Sequence, residues 1–190
     1  LSGQTLTVLA EHALLALQGP AARAVMHTLC PQAAQLVFMH GCAAVIDGVA
    51  VYITCSGYTG EDGFEISVPA AAAEALARRL LAVEGVQPIG LGARDSLRLE
   101  AGLCLYGHEL TTDIDPAQAG PRGCISKTRG GDGARAGGFA GAEVIFQRIA
   151  QKTALCRVGL TVDGKRPVRE GQPVMDEAGR QVGETCSACY

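Results

Sequence analysis

Residues 14–17 form a short apolar run ended by Gly19-Pro20, and an Ala-rich stretch leads on toward Cys30. Proline suits the first turn of a helix, so the pattern predicts a strand and then a helix. Residues 43–46 and 49–54 flank Asp47-Gly48, whose glycine tolerates the positive φ of a type I′ turn, and predict an antiparallel hairpin. Gly57, Gly60 and Gly63, with Glu61 and Asp62 among them, predict a tight loop. Residues 64–68 then alternate apolar and polar like a half-buried strand, which turns Glu65 away from the core face. Residues 69–81 predict a helix with Leu76 and Leu80 on one face, Glu74 and Arg78 paired four apart, and Gly85 as its stop. Residues 91–103 predict another, with Leu91, Ala101 and either Leu97 or Leu99 inward and Arg94 and Arg98 together on one side.

The order β-α-β-β-β-α-α predicts an α+β domain, for which a ferredoxin-like sheet with a split β-α-β unit is the nearest simple template. Residues 111–141 are rich in Gly, Pro and Asp without periodicity and predict a connector. Beyond them, residues 155–162, 174–175 and 181–182 are short β-like runs separated by turn signals, the start of a small β-barrel that does not close. The expected organisation is an α+β lobe over 1–112, a Gly-rich connector over 113–153 and an incomplete barrel over 154–190.

Composition narrows the function classes. The 190 residues are 48% hydrophobic with 25 Gly and no Trp, which excludes disorder and collagen. No apolar run approaches the ~20 residues that span a bilayer, and the first residues show neither a basic nor an apolar signal region, so neither a membrane nor an exported chain is expected. Net charge is -7 over residues 1–120, +3 over 121–148 and +1 over 149–190. The basic stretch has no interleaved aromatics to stack bases, which argues against nucleic acid.

Eight cysteines in a chain this rich in aliphatics are expected to be mostly buried thiols in a reducing compartment, a bacterial cytoplasm or a mitochondrial matrix. Cys186-Ser-Ala-Cys189 lacks the second ligand pair of a structural zinc site, and no metal is expected. Residues 159–165 match a phosphate-binding loop until Arg166 takes the hydroxyl position and Pro167 blocks the helix, so a hairpin turn is expected there. Gly90-Leu-Gly92 is followed by Asp95 where a dinucleotide fingerprint has its third glycine. Tyr58, Glu65 and Arg94 remain as candidates, all beside loops or strand ends where binding groups are displayed.

Two long strings sharpen that choice. Ser56-Gly-Tyr-Thr-Gly-Glu-Asp-Gly-Phe-Glu-Ile-Ser67 and Gly92-Ala-Arg-Asp-Ser-Leu-Arg-Leu-Glu-Ala-Gly-Leu-Cys-Leu-Tyr-Gly-His108 closely resemble the aminomethyltransferase family, the T-protein of the glycine cleavage system. Leu14-Leu-Ala-Leu-Gln-Gly-Pro20, Phe139-Ala-Gly-Ala-Glu-Val-Ile145 and Arg157-Val-Gly-Leu160 fit in the same order. The resemblance implies transfer of a methylene unit from the aminomethyl-lipoyl arm of H-protein to tetrahydrofolate with release of ammonia. It implies Glu65 as the folate-binding glutamate, accepting two N–H bonds from the guanidine-like pterin edge, with Tyr58 as a folate contact and Arg94 as the folate-binding arginine.

The family's catalytic aspartate lies in a portion preceding the region that matches Leu1, so no catalytic residue is assigned and the chain alone is expected to be inactive. Residues 122–136 depart from the family's tryptophan-containing basic run, and residues 182–189 from its usual Gly-Thr-Val-Thr-Ser-Gly. The alternatives are a non-catalytic folate-binding module, or the folate domain of a related demethylase or of a sarcosine or dimethylglycine dehydrogenase.

Overall fold

The computed structural model describes residues 3–120 and 122–189, leaving out Leu1, Ser2, Pro121 and Tyr190. The chain divides into two compact units, Leu1–Leu97 and Arg98–Tyr190.

In the first unit, β1 (His12–Gln18), α1 (Ala22–Leu29), β2 (Gly41–Ile46), β3 (Val49–Thr54), β4 (Gly63–Pro69) and α2 (Ala70–Leu81) follow in order, and α3 (Leu91–Glu100) begins within it. The strands form one sheet in the order β1-β4-β3-β2, every neighbouring pair antiparallel. Asp47 and Gly48 both take positive φ, 48° and 80°, the type I′ geometry expected of that pair. Alternation then sorts the side chains. Leu17, Val51, Ile53, Phe64, Ile66 and Val68 face a core closed by Val25 and Met26 of α1 and by Leu76 and Leu80 of α2. Each such fully buried side chain contributes roughly 1.5–3 kcal/mol.

The opposite face carries His12, Leu14, Ala16, Tyr52, Thr54, Glu65 and Ser67, and Glu65 lies in register with Ala16 on one side and Thr54 on the other. The mixed α/β class agrees with the sequence reading, but the strand order does not match the split β-α-β template. Two strands rather than one lie between β1 and β2, so those two run antiparallel. The expected glycine stop also moves: Ala82 caps α2, and Gly85, at φ 83°, belongs to the turn after it.

The second unit contains α4 (Pro116–Ala119), α5 (Ala142–Gln151), β5 (Pro173–Met175) and β6 (Gln181–Glu184). The connector expected over 113–153 thus holds both helices, and α4 is started by Asp115, whose carboxylate accepts from the backbone N–H groups of Ala117 and Gln118. Arg148 of α5 pairs with the same carboxylate at 2.7 Å. β5 and β6 form a two-stranded hairpin, but residues 155–162 are not a strand. Leu155, Val158, Leu160 and Val162 are all exposed, because alternation alone cannot hold a strand that has no partner. The turn expected at residues 159–165 therefore joins no paired strands, and no helix follows it.

Of the residues expected to face inward from α3, Leu97 and Leu99 are half-buried, but Ala101 is exposed and Leu91 is 80% exposed, whereas Arg98 is 1% exposed. Nor are most thiols buried. Only Cys30 and Cys55 are, and both lie in the sheet unit; Cys42, Cys104 and Cys186 are half-buried and Cys124, Cys156 and Cys189 exposed. Five of those six belong to the second unit, where the buried apolar side chains among the described residues are Ala117, Ala119 and Ala142.

Candidate functional site

The loop over residues 56–62 joins β3 to β4, and two side chains from earlier in the chain hold it. Gln18, the last residue of β1, donates from Nε2 to the carbonyls of Ser56 (3.1 Å) and Phe64 (3.3 Å) and accepts at Oε1 from the Thr59 hydroxyl at 3.2 Å. Its carboxamide occupies the space that a Cβ on Gly57 or Gly63 would fill, so glycine at both positions is a condition of the contact. Arg23 of α1 grips the far end. Its Nε and Nη2 form a fork on the Asp62 carboxylate at 2.7 and 3.0 Å, and Nη1 donates to the carbonyls of Ala34 and Leu36. The Arg23 hydrogen bond, ahead of all other influences, holds the Asp62 carboxyl below its ordinary value.

On this fixed loop the three expected residues take definite positions. Glu65 is half-buried on the polar face of β4, and its Oε2 accepts from the Ser56 hydroxyl at 2.7 Å. Its Oε1 takes no hydrogen bond among the described residues. Tyr58 is half-buried at the crest of the loop, and the Arg94 guanidinium of α3 lies over its ring, 5.0 Å from the centroid, a cation–π arrangement. Arg94 has no carboxylate partner among the described residues. Tyr58 and Arg94 are therefore brought into contact, and Glu65 is tied to the same loop through Ser56, two residues before the tyrosine. Chemically this offers an ionisable acceptor with an open oxygen, an aromatic ring and a planar cation, a combination suited to a flat ligand with an N–H edge and carbonyl or carboxylate oxygens.

Sequence reasoning missed Gln18 and Arg23. The glycine pair at 57 and 63 was the available signal for Gln18, since glycine in or beside a strand often marks close approach. Arg23 and Asp62 are far apart in sequence and gave none.

A second glutamate was also missed, in the other unit. Arg98 and Glu109 pair at 2.9 Å with side chains 1% and 4% exposed, and Arg98 also donates to the Ser187 hydroxyl at 2.7 Å. Burial by itself would push the Glu109 carboxyl up; the Ser187 hydroxyl, the Leu105 backbone N–H and the Arg98 guanidinium more than reverse that and hold it below the ordinary range. This pair is inward and structural.

The family model described as the GCVT N-terminal domain matches residues 4–129. The chain is 45% identical over 183 residues to the mitochondrial aminomethyltransferase of Pisum sativum, covering 95% of this chain and 44% of that one. It is also 45% identical over 181 residues to that of Canis lupus familiaris, covering 94% and 44%. Its structure is similar to the crystal structure of glycine cleavage system aminomethyltransferase T from Bartonella henselae, with a TM-score of 0.81 and 40% identity over 95% of this chain and 48% of that one. The chain spans less than half the length of the curated relatives it matches.

Proposed function

The chain belongs to the GCVT N-terminal domain family, and on that premise we propose that it supplies part of the folate-binding site of a glycine cleavage system aminomethyltransferase. The activity proposed for the whole protein is transfer of a methylene unit from the aminomethyl-lipoyl arm of H-protein to tetrahydrofolate, releasing ammonia. Residues 1–112 form the folate-binding lobe, 113–153 the connector and 154–190 the start of a terminal barrel.

Tetrahydrofolate accepts the one-carbon unit; the residues of this chain bind and orient it. Glu65 accepts the paired N–H donors of the pterin edge, Tyr58 lies against the ligand, and Arg94 donates to its carbonyl or carboxylate oxygens. The observation that carries the reading is Glu65 itself: a half-buried carboxylate with one oxygen tied to Ser56 and the other open among the described residues. A carboxylate so placed costs desolvation unless donors complete it, and a guanidine-like edge offers two.

Calorimetric titration of the full 190-residue chain with tetrahydrofolate under reducing conditions tests this. Wild type should bind, and Glu65→Ala or Arg94→Ala should each weaken binding about tenfold or more, the scale of a lost charge-assisted hydrogen bond. A folded wild type that binds no tetrahydrofolate, or variants that bind as well as wild type, would overturn the assignment.

A further inference from the structure

Glu65 does not stand alone on its face of the sheet. Its cross-strand register partner is Thr54, and Ser56 follows two residues later on the same chain. The Thr54 and Ser56 hydroxyl oxygens are 2.7 Å apart, and Ser56 Oγ lies 2.7 Å from Glu65 Oε2. An ionised carboxylate only accepts, so the single Ser56 hydroxyl proton goes to Glu65. Ser56 Oγ is then left with acceptor capacity alone, which makes Thr54 the donor in the other bond. The direction is fixed along the whole chain: Thr54 to Ser56 to Glu65. Ser56 is itself held by Gln18, which binds its carbonyl at 3.1 Å, and Thr54 is the last residue of β3, its β-branched side chain restricted at χ1.

We propose that Thr54 and Ser56 are positioning residues that set which hydrogen-bond pattern Glu65 recognises. Resting on the folate reading above, they fix the rotation of the carboxylate and leave it purely an acceptor, so that it selects a ligand edge with two parallel N–H donors over one that presents an oxygen. Chains of hydrogen bonds polarise one another, and the second hydroxyl strengthens the first bond as well as aiming it.

Two measurements on the full chain decide the matter. The first needs no ligand. In protein labelled with 13C at the glutamate side-chain carboxyls, the Glu65 resonance is identified by its loss in Glu65→Gln. Ser56→Ala and Thr54→Val should both move it, Ser56→Thr should restore it, and the other glutamate resonances should stay. An unmoved Glu65 resonance in Ser56→Ala overturns the proposal.

The second compares affinity for pterin, with a 2-amino group, against lumazine, with an oxo group in its place. Ser56→Ala should cut the wild-type preference for pterin about tenfold and Thr54→Val about threefold, while Ser56→Thr keeps it within about twofold. An unchanged preference in Ser56→Ala, where Glu65→Gln abolishes it, overturns the specificity role. A wild type with no preference overturns the folate reading instead, and the resonance shift still decides whether the hydroxyl chain holds Glu65.

Discussion

Glu65 and Glu109 sit in regions built by different forces, and the contrast separates a carboxylate with an oxygen left open from one enclosed by its own fold. The sheet unit around Glu65 owes its shape to an apolar layer running from Leu17 to Leu80, which leaves polar side chains on the other face free to serve something else. The unit around Glu109 buries only three apolar side chains, all alanine, among its described residues, and polar contacts take over. Arg98 spends its guanidinium on Glu109, Ser187 and the Leu103 carbonyl, and Arg157 donates to the Ala119 carbonyl at 2.7 Å. Glu109 is surrounded by donors from its own chain; among the described residues Glu65 has one, and an open oxygen. Incomplete satisfaction at a half-buried site is what sets Glu65 apart from Glu109.

Substitutions should resolve the two regimes in order of size. Phe64→Ala removes a wholly buried ring from the apolar layer and should cost about 4 kcal/mol in denaturant unfolding; a loss below about 1 kcal/mol would mean that the sheet unit is not core-driven. Glu109→Gln leaves a buried guanidinium without its counter-charge and should cost about 3 kcal/mol, with part regained when Arg98→Met is added. Equal losses in the single and double variants would remove the pair from its central place.

Acid should act next. Because the Asp62 carboxyl is held below its unfolded value, its contribution is present above about pH 4 and is lost as pH falls through the lower folded value. Asp62→Asn should flatten that part of the acid limb, and an unchanged limb would show that the Arg23 fork does not matter to stability. Smallest of all, Glu74→Ala breaks a 2.7 Å surface pair with Arg78 whose side chains are 77% and 76% exposed, and should change stability by about 0.3 kcal/mol.

What was legible beforehand follows the same division. The sheet unit announced itself through short-range signals: the Asp47-Gly48 turn, the alternation of residues 64–68, and Leu76 with Leu80. The outward direction of Glu65 came from that alternation, whereas its reading as a folate-binding residue came from the family resemblance. The strand order did not, because it depends on which edges meet and local pattern does not record that. In the second unit the signals misled for one physical reason. Residues 155–162 alternate like a strand and pair with none, and Arg98, expected beside Arg94 on one side of its helix, is buried against Glu109 and Ser187; partners that local pattern does not record decide both. Most of the cysteines were read as interior because they are apolar, and five of the six that are not buried belong to a unit with little interior to give them.

The placement of Gln18 carries a consequence for how this protein can vary. Its carboxamide fills the room left by two absent side chains, so residues 18, 57 and 63 are an epistatic set. Gly57→Ala drives the new methyl into the Gln18 carboxamide, the movable end of a flexible side chain, and the harm comes from expelling Gln18 from its bonds to Ser56, Phe64 and Thr59. The substitution should therefore mimic Gln18→Ala. Once Gln18 has become alanine, a methyl at 57 has little left to disturb, and the order in which the two changes arrive decides whether the second one is felt at all.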